Sequence, residues 1–352
     1  MDTFVIAATR SMQDYAARVA GVLNKGWINA VDALTVDCFA NGEMEVRVSM
    51  SPRGKTVFLF AGCGGNNPTV DESKLELYHA IDALNRAQSA RIIVFEPFIS
   101  CSRSDRTVNR SSVGLWMHFR TLQAMGARQL ITYQLHSDKS RTMLDPSLCT
   151  LDDIPGSRLL IEHLCATYVK SSERLRQVVP AQWAFCAIDA GGEKLARNFA
   201  NFFGTPLVVA HKQRNYSQVN TVDSINILSA VPLQDKILWI VDDIIDTAGS
   251  IDILIRALAL RKPAQINVAV VHAVFSDPAT ERIRNLCAEK LLAHIIVTDT
   301  VCSSPSLSGI IPNMEIVSSS EFSAMVLETI VHNESITELV QIHGVDDYFV
   351  NI

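Results

Sequence analysis

A doubly wound α/β fold with mostly parallel sheets is what this sequence predicts, and three observations carry the expectation. Apolar runs of strand length recur along the chain, and stretches with helical apolar spacing fill most of the intervals. The run at 237–241, ILWIV, is wholly apolar and suits a strand covered on both faces of a parallel sheet. Strands are expected at 4–8, 57–61, 91–95 and 129–133, then at 184–188, 207–210, 237–241, 268–274 and 294–298. Helices are expected over 11–24 with Ser11 as cap, over 72–88 with apolar positions at Leu75, Leu77, Ile81 and Leu84, over 112–125, and over 251–260. Between the fourth and fifth strands, DPSLCTLDDIP at 145–155 is rich in acids and proline and reads as a boundary. The division expected is an N-terminal domain at 1–152, a C-terminal domain at 153–340 and a tail at 341–352 of mixed character.

Composition narrows the classes. With 352 residues, 48% hydrophobic and 19% charged, the chain suits a soluble protein of two ordinary domains. A net charge of −6 argues against nonspecific nucleic-acid binding, so no nucleic-acid partner is expected. No apolar stretch reaches the length of a membrane span, and MDTFVIAATRS lacks the basic leader and longer apolar core of a signal peptide. The 8 cysteines show no C-x-x-C spacing and mostly sit among apolar neighbours, which favours buried free thiols in a reducing cytoplasm.

The most informative stretch is 237–250, ILWIVDDIIDTAGS, where an apolar run meets Asp242 and Asp243 and a small-residue loop opens a helix. Open α/β sheets place ligands at the carboxyl ends of their strands. From Asp246 the chain runs through Thr247, Ala248, Gly249 and Ser250 into the helix at 251–260. Such a turn aims free N–H groups and the positive end of the helix dipole at one point, which suits a phosphate monoester. Gly249 permits close approach of the backbone, and Thr247 and Ser250 add hydroxyls. The two acids can accept hydrogen bonds from vicinal sugar hydroxyls or help to hold a divalent cation.

This string resembles the phosphoribosyl-diphosphate loop shared by type I phosphoribosyltransferases and ribose-phosphate diphosphokinases (PRPP synthetases). The rest of the chain resembles the second family, through FANGE at 39–43, RG at 53–54, LEL and IDALNRA within 75–87, SRSDR at 102–106, LH at 135–136, DAGG at 189–192, HKQR at 211–214 and NESIT at 333–337. The resemblance implies two doubly wound domains of type I phosphoribosyltransferase-like topology. It implies that Phe39, Asn41 and Glu43 hold an adenine across a subunit interface, although FANGE alone reads as a turn between strands. Arg103 would grip the ATP phosphates with Asp105 in the same loop. His136 and Asp189 would associate with magnesium, Asp189 near the ribose, and Asp242, Asp243 and the 246–250 loop would hold ribose 5-phosphate. Lys212 and Arg214, in a polar segment that reads as a mobile loop, would neutralise the phosphoryl transition state. The implied reaction joins the diphosphoryl group of MgATP to the anomeric hydroxyl of ribose 5-phosphate in a cytoplasmic homo-oligomer, hexameric by resemblance.

Departures from the family pattern fall mainly in the ATP half. Ser104 stands where glutamine is common and Gln134 where aspartate is common, while Ser250 replaces threonine and keeps the hydroxyl. Near the family's phosphate or ADP regulatory site, Ser51, Arg53, Ser335 and Thr337 match but Lys139 and Arg141 do not. Two other readings stay open: a noncatalytic regulatory paralogue, which Ser104 and Gln134 keep open although intact Lys212, Arg214, His136, Asp189 and Asp242 argue against it, and a base-salvage phosphoribosyltransferase, which leaves FANGE and SRSDR unexplained.

Overall fold

The computed structural model describes residues 4–23, 26–63, 68–214, 222–302, 304–307 and 309–341, without the side chains of 212–214, 222–224 and 304–305. The expected tail at 341–352, apart from Gln341, therefore lies outside the described residues. The chain begins β1 (Phe4–Ala8), α1 (Gln13–Val22), β2 (Trp27–Asn29), β3 (Leu34–Cys38), β4 (Met44–Val48), β5 (Thr56–Phe60), α2 (Val70–Arg86) and β6 (Arg91–Phe95). It continues α3 (Gly114–Met125), β7 (Gln129–Tyr133), β8 (Thr150–Ile154), α4 (Ser157–Leu164), α5 (Ser172–Gln177), α6 (Val179–Gln182), β9 (Trp183–Ala187) and α7 (Glu193–Phe203). Then come β10 (Leu207–Arg214), β11 (Val222–Ser229), β12 (Ile237–Ile245), α8 (Gly249–Ala259), β13 (Gln265–Ala273), α9 (Ala279–Ala288) and β14 (His294–Thr298). The last described elements are β15 (Met314–Val317), α10 (Ser320–Val331) and α11 (Ile336–Val340).

Two compact units result. Of the described residues, the first takes those up to Pro155, those at 300–302 and Ser318–Val340, and the second those within Gly156–Asp299, those within Ser304–Val317 and Gln341. The first has a six-stranded sheet in the order β2-β1-β5-β6-β7-β8, parallel at every pairing, and a separate antiparallel hairpin β3-β4. One face of that sheet packs Val57, Leu59, Val94 and Leu130 against Leu77 and Ile81 of α2 and Phe119 and Leu122 of α3. The other face carries an aromatic row in which Tyr15, Phe60, Phe95, Tyr133 and Phe322 neighbour one another in turn, with ring centroids 5.0 to 6.5 Å apart.

That row explains a difference from the expected division. Ser318–Val340, expected in the second domain, belongs to the first unit. Phe322 of α10 closes the aromatic row, and the hydroxyls of Tyr15 and Tyr133 each lie 2.7 Å from Ser323 Oγ, with Tyr15 also 2.7 Å from Ser319 Oγ. Burying four hydroxyls requires mutual hydrogen bonding, and the serines at the start of α10 supply half of the set. A second difference concerns Ser11, whose hydroxyl donates to the Gly62 carbonyl at 2.6 Å instead of capping α1.

The second unit has a seven-stranded sheet, β11-β10-β9-β12-β13-β14-β15, parallel except for the β10-β11 pair. Helices cover both faces. Leu254 and Ile255 of α8 and Ile283 and Leu286 of α9 pack on Ile240, Val268 and Ile295, while Leu160 and Leu164 of α4 and Phe199 and Phe203 of α7 pack on Phe185, Trp239 and Ile296. Chain order reverses at β9: β10 and β11 lie on one side, and β12 crosses to the other. The carboxyl ends of β9 and β12 thus flank the crevice where such sheets bind ligands.

All eight thiols are free, and Cys63, Cys149, Cys165 and Cys186 are buried. Among the described residues no helix is long and apolar enough to cross a membrane.

Candidate active site

The switch point of the second unit gathers the acids singled out in the sequence. Asp189 follows β9, and its Oδ1 accepts the N–H groups of Gly191 at 2.9 Å and Gly192 at 3.2 Å, closing a tight turn. A Cβ on Gly192 would lie 3.4 Å from Asp242 Oδ1, so the turn after β9 and the acids of β12 are immediate neighbours. Asp242 and Asp243 do not end their strand as expected. β12 runs on to Ile245 because β13 is equally long and keeps pairing with it, whereas β9 stops pairing at Val241. The two acids therefore stand on a strand that has outrun one neighbour, which opens that side of the strand to a ligand.

Their electrostatics fit a cation or hydroxyl acceptor site. Burial, then the adjacent Asp243 and the charge of Asp189, hold the Asp242 carboxyl well above the usual carboxylate range, although its Oδ1 accepts the Asp243 N–H at 3.0 Å. Carboxylates crowded this closely are relieved by a proton or a metal ion.

The loop at 246–250 leads directly into α8. Ala248 sits at φ 58°, ψ 7°, a left-handed conformation unusual for a residue with a Cβ, and its carbonyl accepts the Asp252 N–H at 2.9 Å. Arg282 of α9 donates from Nη1 to the Thr247 carbonyl at 2.8 Å, and a Cβ on Gly249 would come within 3.0 Å of that nitrogen. Gly249 thus permits a guanidinium to lie against the loop. Arg282 was not singled out in the sequence, where it is one cation among several on an amphipathic helix.

Lys212 and Arg214 are not in a loop. β10 leaves β9 after Val209 but continues through Arg214, paired with β11 by the registers Lys212↔Ile225 and Arg214↔Val222. The two positions lie on one strand of a hairpin arm, and the side chains expected to act in catalysis lie outside the described residues.

The remaining candidates belong to the first unit. FANGE forms the turn of the β3-β4 hairpin: Phe39 N–H donates to the Glu43 carbonyl at 2.8 Å and Glu43 N–H to Asn41 Oδ1 at 3.1 Å. The turn leaves Phe39 55% exposed, an unusual presentation for a large aromatic. Arg103 is exposed in the loop between β6 and α3, with Asp105 two residues on. Ser104, where the family commonly has glutamine, accepts with its Oγ the N–H of Gly114, the first residue of α3, at 2.9 Å.

His136 is exposed on the loop after β7. That loop is tied to β8 by Asp153, which accepts the Leu135 N–H at 2.9 Å and the Arg141 guanidinium at 2.8 Å. Gln134 begins it in a left-handed conformation, φ 42°, its N–H donating to the Ile154 carbonyl at 2.8 Å. Arg141, one of the departures from the family pattern, is thus a structural partner of Asp153. His136 belongs to the first unit and Asp189 to the second. Among the described residues no group of three or more His, Cys, Asp or Glu side chains is arranged to hold a metal ion by itself.

Known proteins share this organisation. Residues 4–126 match the family described as the N-terminal domain of ribose phosphate pyrophosphokinase, and residues 150–290 match the phosphoribosyl transferase domain. A ribose-phosphate pyrophosphokinase of Campylobacter jejuni is 30% identical over 303 residues, 86% of this chain and 88% of that one. One of Chlorobaculum tepidum is 30% identical over 347 residues, 98% of each. The crystal structure of phosphoribosylpyrophosphate synthetase from Mycobacterium smegmatis superposes with a TM-score of 0.78 at 25% identity, covering 94% of this chain and 100% of that one. The fold and the two matched domains define a transferase of the phosphoribosyltransferase-like class. The chain belongs to the ribose-phosphate pyrophosphokinase family.

Proposed function

We propose that the chain transfers the β,γ-diphosphoryl group of ATP to the anomeric hydroxyl of ribose 5-phosphate, giving 5-phosphoribosyl 1-diphosphate and AMP. The observation that carries this is the meeting of Asp189, Asp242 and Asp243 at the β9/β12 switch point, on the strand that leads into the Arg282-braced 246–250 loop. In this reading the N–H groups at the start of α8, with Thr247 and Ser250, take the 5-phosphate. Asp242 and Asp243 accept from the sugar hydroxyls. Once the anomeric hydroxyl is oriented, attack on the β-phosphorus is a matter of positioning and charge stabilisation.

Nucleotide recognition is assigned to the first unit. Phe39 offers a face for stacking, Asn41 and Glu43 offer donor and acceptor groups, and Arg103 offers a guanidinium for phosphate, with Asp105 beside it in sequence. Lys212 and Arg214 are assigned the charge developing on the transferred group.

Magnesium suits the oxygen-rich acids of the switch point, because it keeps several waters and needs only one or two protein carboxylates beside substrate phosphates. The crowding that raises Asp242 is the observation that fits it. By the family pattern His136 would help to bind the magnesium of MgATP, directly or through water, and Asp189 would be a second metal-associated position near the ribose; when bound, the metal neutralises phosphate charge. The protein is assigned to a homo-oligomer, hexameric by family, in the cytoplasm.

The test is AMP release from MgATP by purified protein, with and without ribose 5-phosphate. Ribose-dependent AMP in equal amount to phosphoribosyl diphosphate is expected. A second reading, a regulatory paralogue, draws on Ser104, whose hydroxyl is taken up by α3. It predicts ATP binding without AMP release, and pyrophosphate release from phosphoribosyl diphosphate plus a free base would instead reveal a salvage transferase.

A further inference from the structure

Three ionisable side chains with no place in the reaction above lie in a row inside the first unit. Glu96, the first residue after β6, is 5% exposed, and His118 of α3 is 1% exposed. His118 Nε2 is 2.6 Å from Glu96 Oε2, and His118 Nδ1 is 2.9 Å from the Tyr78 hydroxyl of α2. Burial, and then the Glu96 charge, push the Tyr78 hydroxyl upward, so it stays protonated. With Nε2 facing a carboxyl oxygen and Nδ1 facing a hydroxyl, the tautomer that donates from Nε2 to Glu96 accepts the Tyr78 O–H at Nδ1. Both nitrogens of the buried imidazole are thereby matched.

A buried polar row is a weak device for stability, since well-packed apolar residues of the same volume serve as well or better. Its position suggests another use. Glu96 opens the loop that carries Arg103, and Ser104 closes the same stretch. α3 holds both ends. Gly114 N–H donates to Ser104 Oγ at 2.9 Å and Leu115 N–H to the Ser104 carbonyl at 3.1 Å, while His118, one turn further along the helix, holds Glu96. The loop between is wound by the turns Ser102 N–H to Ile99 carbonyl and Ser104 N–H to Cys101 carbonyl, with Phe98 and Ile99 buried. Arg103 is thus adjacent to one anchor, and the second anchor sets the helix to which the first is attached.

We propose that His118, through Glu96, is a positioning residue that fixes α3 against β6 and so sets the reach of Arg103 toward the nucleotide phosphates. The proposal rests on the reading of Arg103 as a nucleotide contact. Ser104 then has a structural use in place of the family's glutamine, because its short side chain clamps the loop to α3 instead of reaching a ligand.

The test is the dissociation constant of a non-hydrolysable ATP analogue, with that of ribose 5-phosphate measured in parallel, for Arg103→Ala, His118→Ala, the Arg103→Ala/His118→Ala double variant and His118→Gln. Loss of a hydrogen bond to a charged group should weaken the analogue about tenfold in His118→Ala. Ribose 5-phosphate affinity should stay unchanged. His118→Gln, which keeps an N–H for Glu96 and a carbonyl for Tyr78, should restore affinity. In the Arg103→Ala background, His118→Ala should have no further effect, because both act through one guanidinium.

Should His118→Ala fail to fold, Glu96→Leu/His118→Leu keeps the volume without the polar tie and should fold with weakened analogue binding. Wild-type analogue affinity in a folded His118→Ala or double-leucine protein overturns the proposal, as does a His118 effect that persists undiminished without Arg103. An Arg103→Ala protein that binds the analogue normally removes the nucleotide role of that loop itself, which is a different result.

Discussion

Arg282 reaches from α9 to the carbonyl of Thr247 at 2.8 Å, so a helix otherwise devoted to covering the sheet also braces the loop proposed to hold a phosphate. The guanidinium both fixes the loop's backbone and places a cation beside it. Arg282→Ala is expected to raise the KM for ribose 5-phosphate about tenfold while leaving ATP affinity unchanged. Arg282→Lys, which keeps the charge but not the fork, should recover part of the loss. Steady-state kinetics with each substrate varied in turn check this.

Asp242 gives a pH prediction with a definite sign. Its folded-state pKa is raised above 3.8, so the folded protein holds a proton that the unfolded chain has already released. Stability therefore falls as pH rises above 3.8 and through the folded-state pKa. Asp242→Asn keeps an acceptor for the Asp243 N–H and removes the charge, so its melting temperature should exceed the parent's at about pH 7. The difference should shrink on acidification, once the parent carboxyl is protonated. Thermal melts across pH check the sign, and the variant should lose ribose 5-phosphate affinity at the same time.

Gly191 is a site where function should fall without the fold. A Cβ there would lie 3.1 Å from Asp189 Oδ1, the atom held by the turn's own N–H groups. Gly191→Ala is expected to displace the Asp189 carboxylate and lower turnover by an order of magnitude or more. Its cost in stability should stay within about 1 kcal/mol, since the position is exposed. Comparing kcat with urea unfolding separates the two effects.

Asp153 is the corresponding support in the first unit. It joins the loop carrying His136 to β8 through Leu135 and Arg141, and burial raises its pKa despite both partners. Asp153→Ala leaves the Leu135 N–H without its acceptor and is expected to cost about 2 kcal/mol by denaturant unfolding. Asp153→Asn, which keeps an acceptor for Leu135, should cost less.

The buried strands were legible because their neighbours are. β6, β7 and β14 lie where the apolar runs at 91–95, 129–133 and 294–298 placed them, since such runs have no other use in a parallel sheet. β2, β8 and β15 are short edge-side strands with mixed polarity, such as TLDDI, and carry no such signal. The Lys212 segment looked like a loop because HKQR is polar, yet its backbone bonds go to β11, and backbone pairing does not require apolar side chains. The acids of the switch point were readable because Asp242 and Asp243 stand in one string with the small-residue loop at 246–250 that follows an apolar run, whereas two carboxylates alone would read as a hydrated loop. Arg282, Asp153, Glu96 and His118 were not, because each becomes distinctive only through a partner far along the chain.

Transfer of an intact diphosphoryl group can be followed with ATP radiolabelled at the γ-phosphate in the presence of ribose 5-phosphate and magnesium. The label is expected to pass into phosphoribosyl diphosphate, with unlabelled AMP formed in equal amount. Label released as inorganic phosphate with ADP, or label that stays in ATP bound to a folded protein, would contradict it.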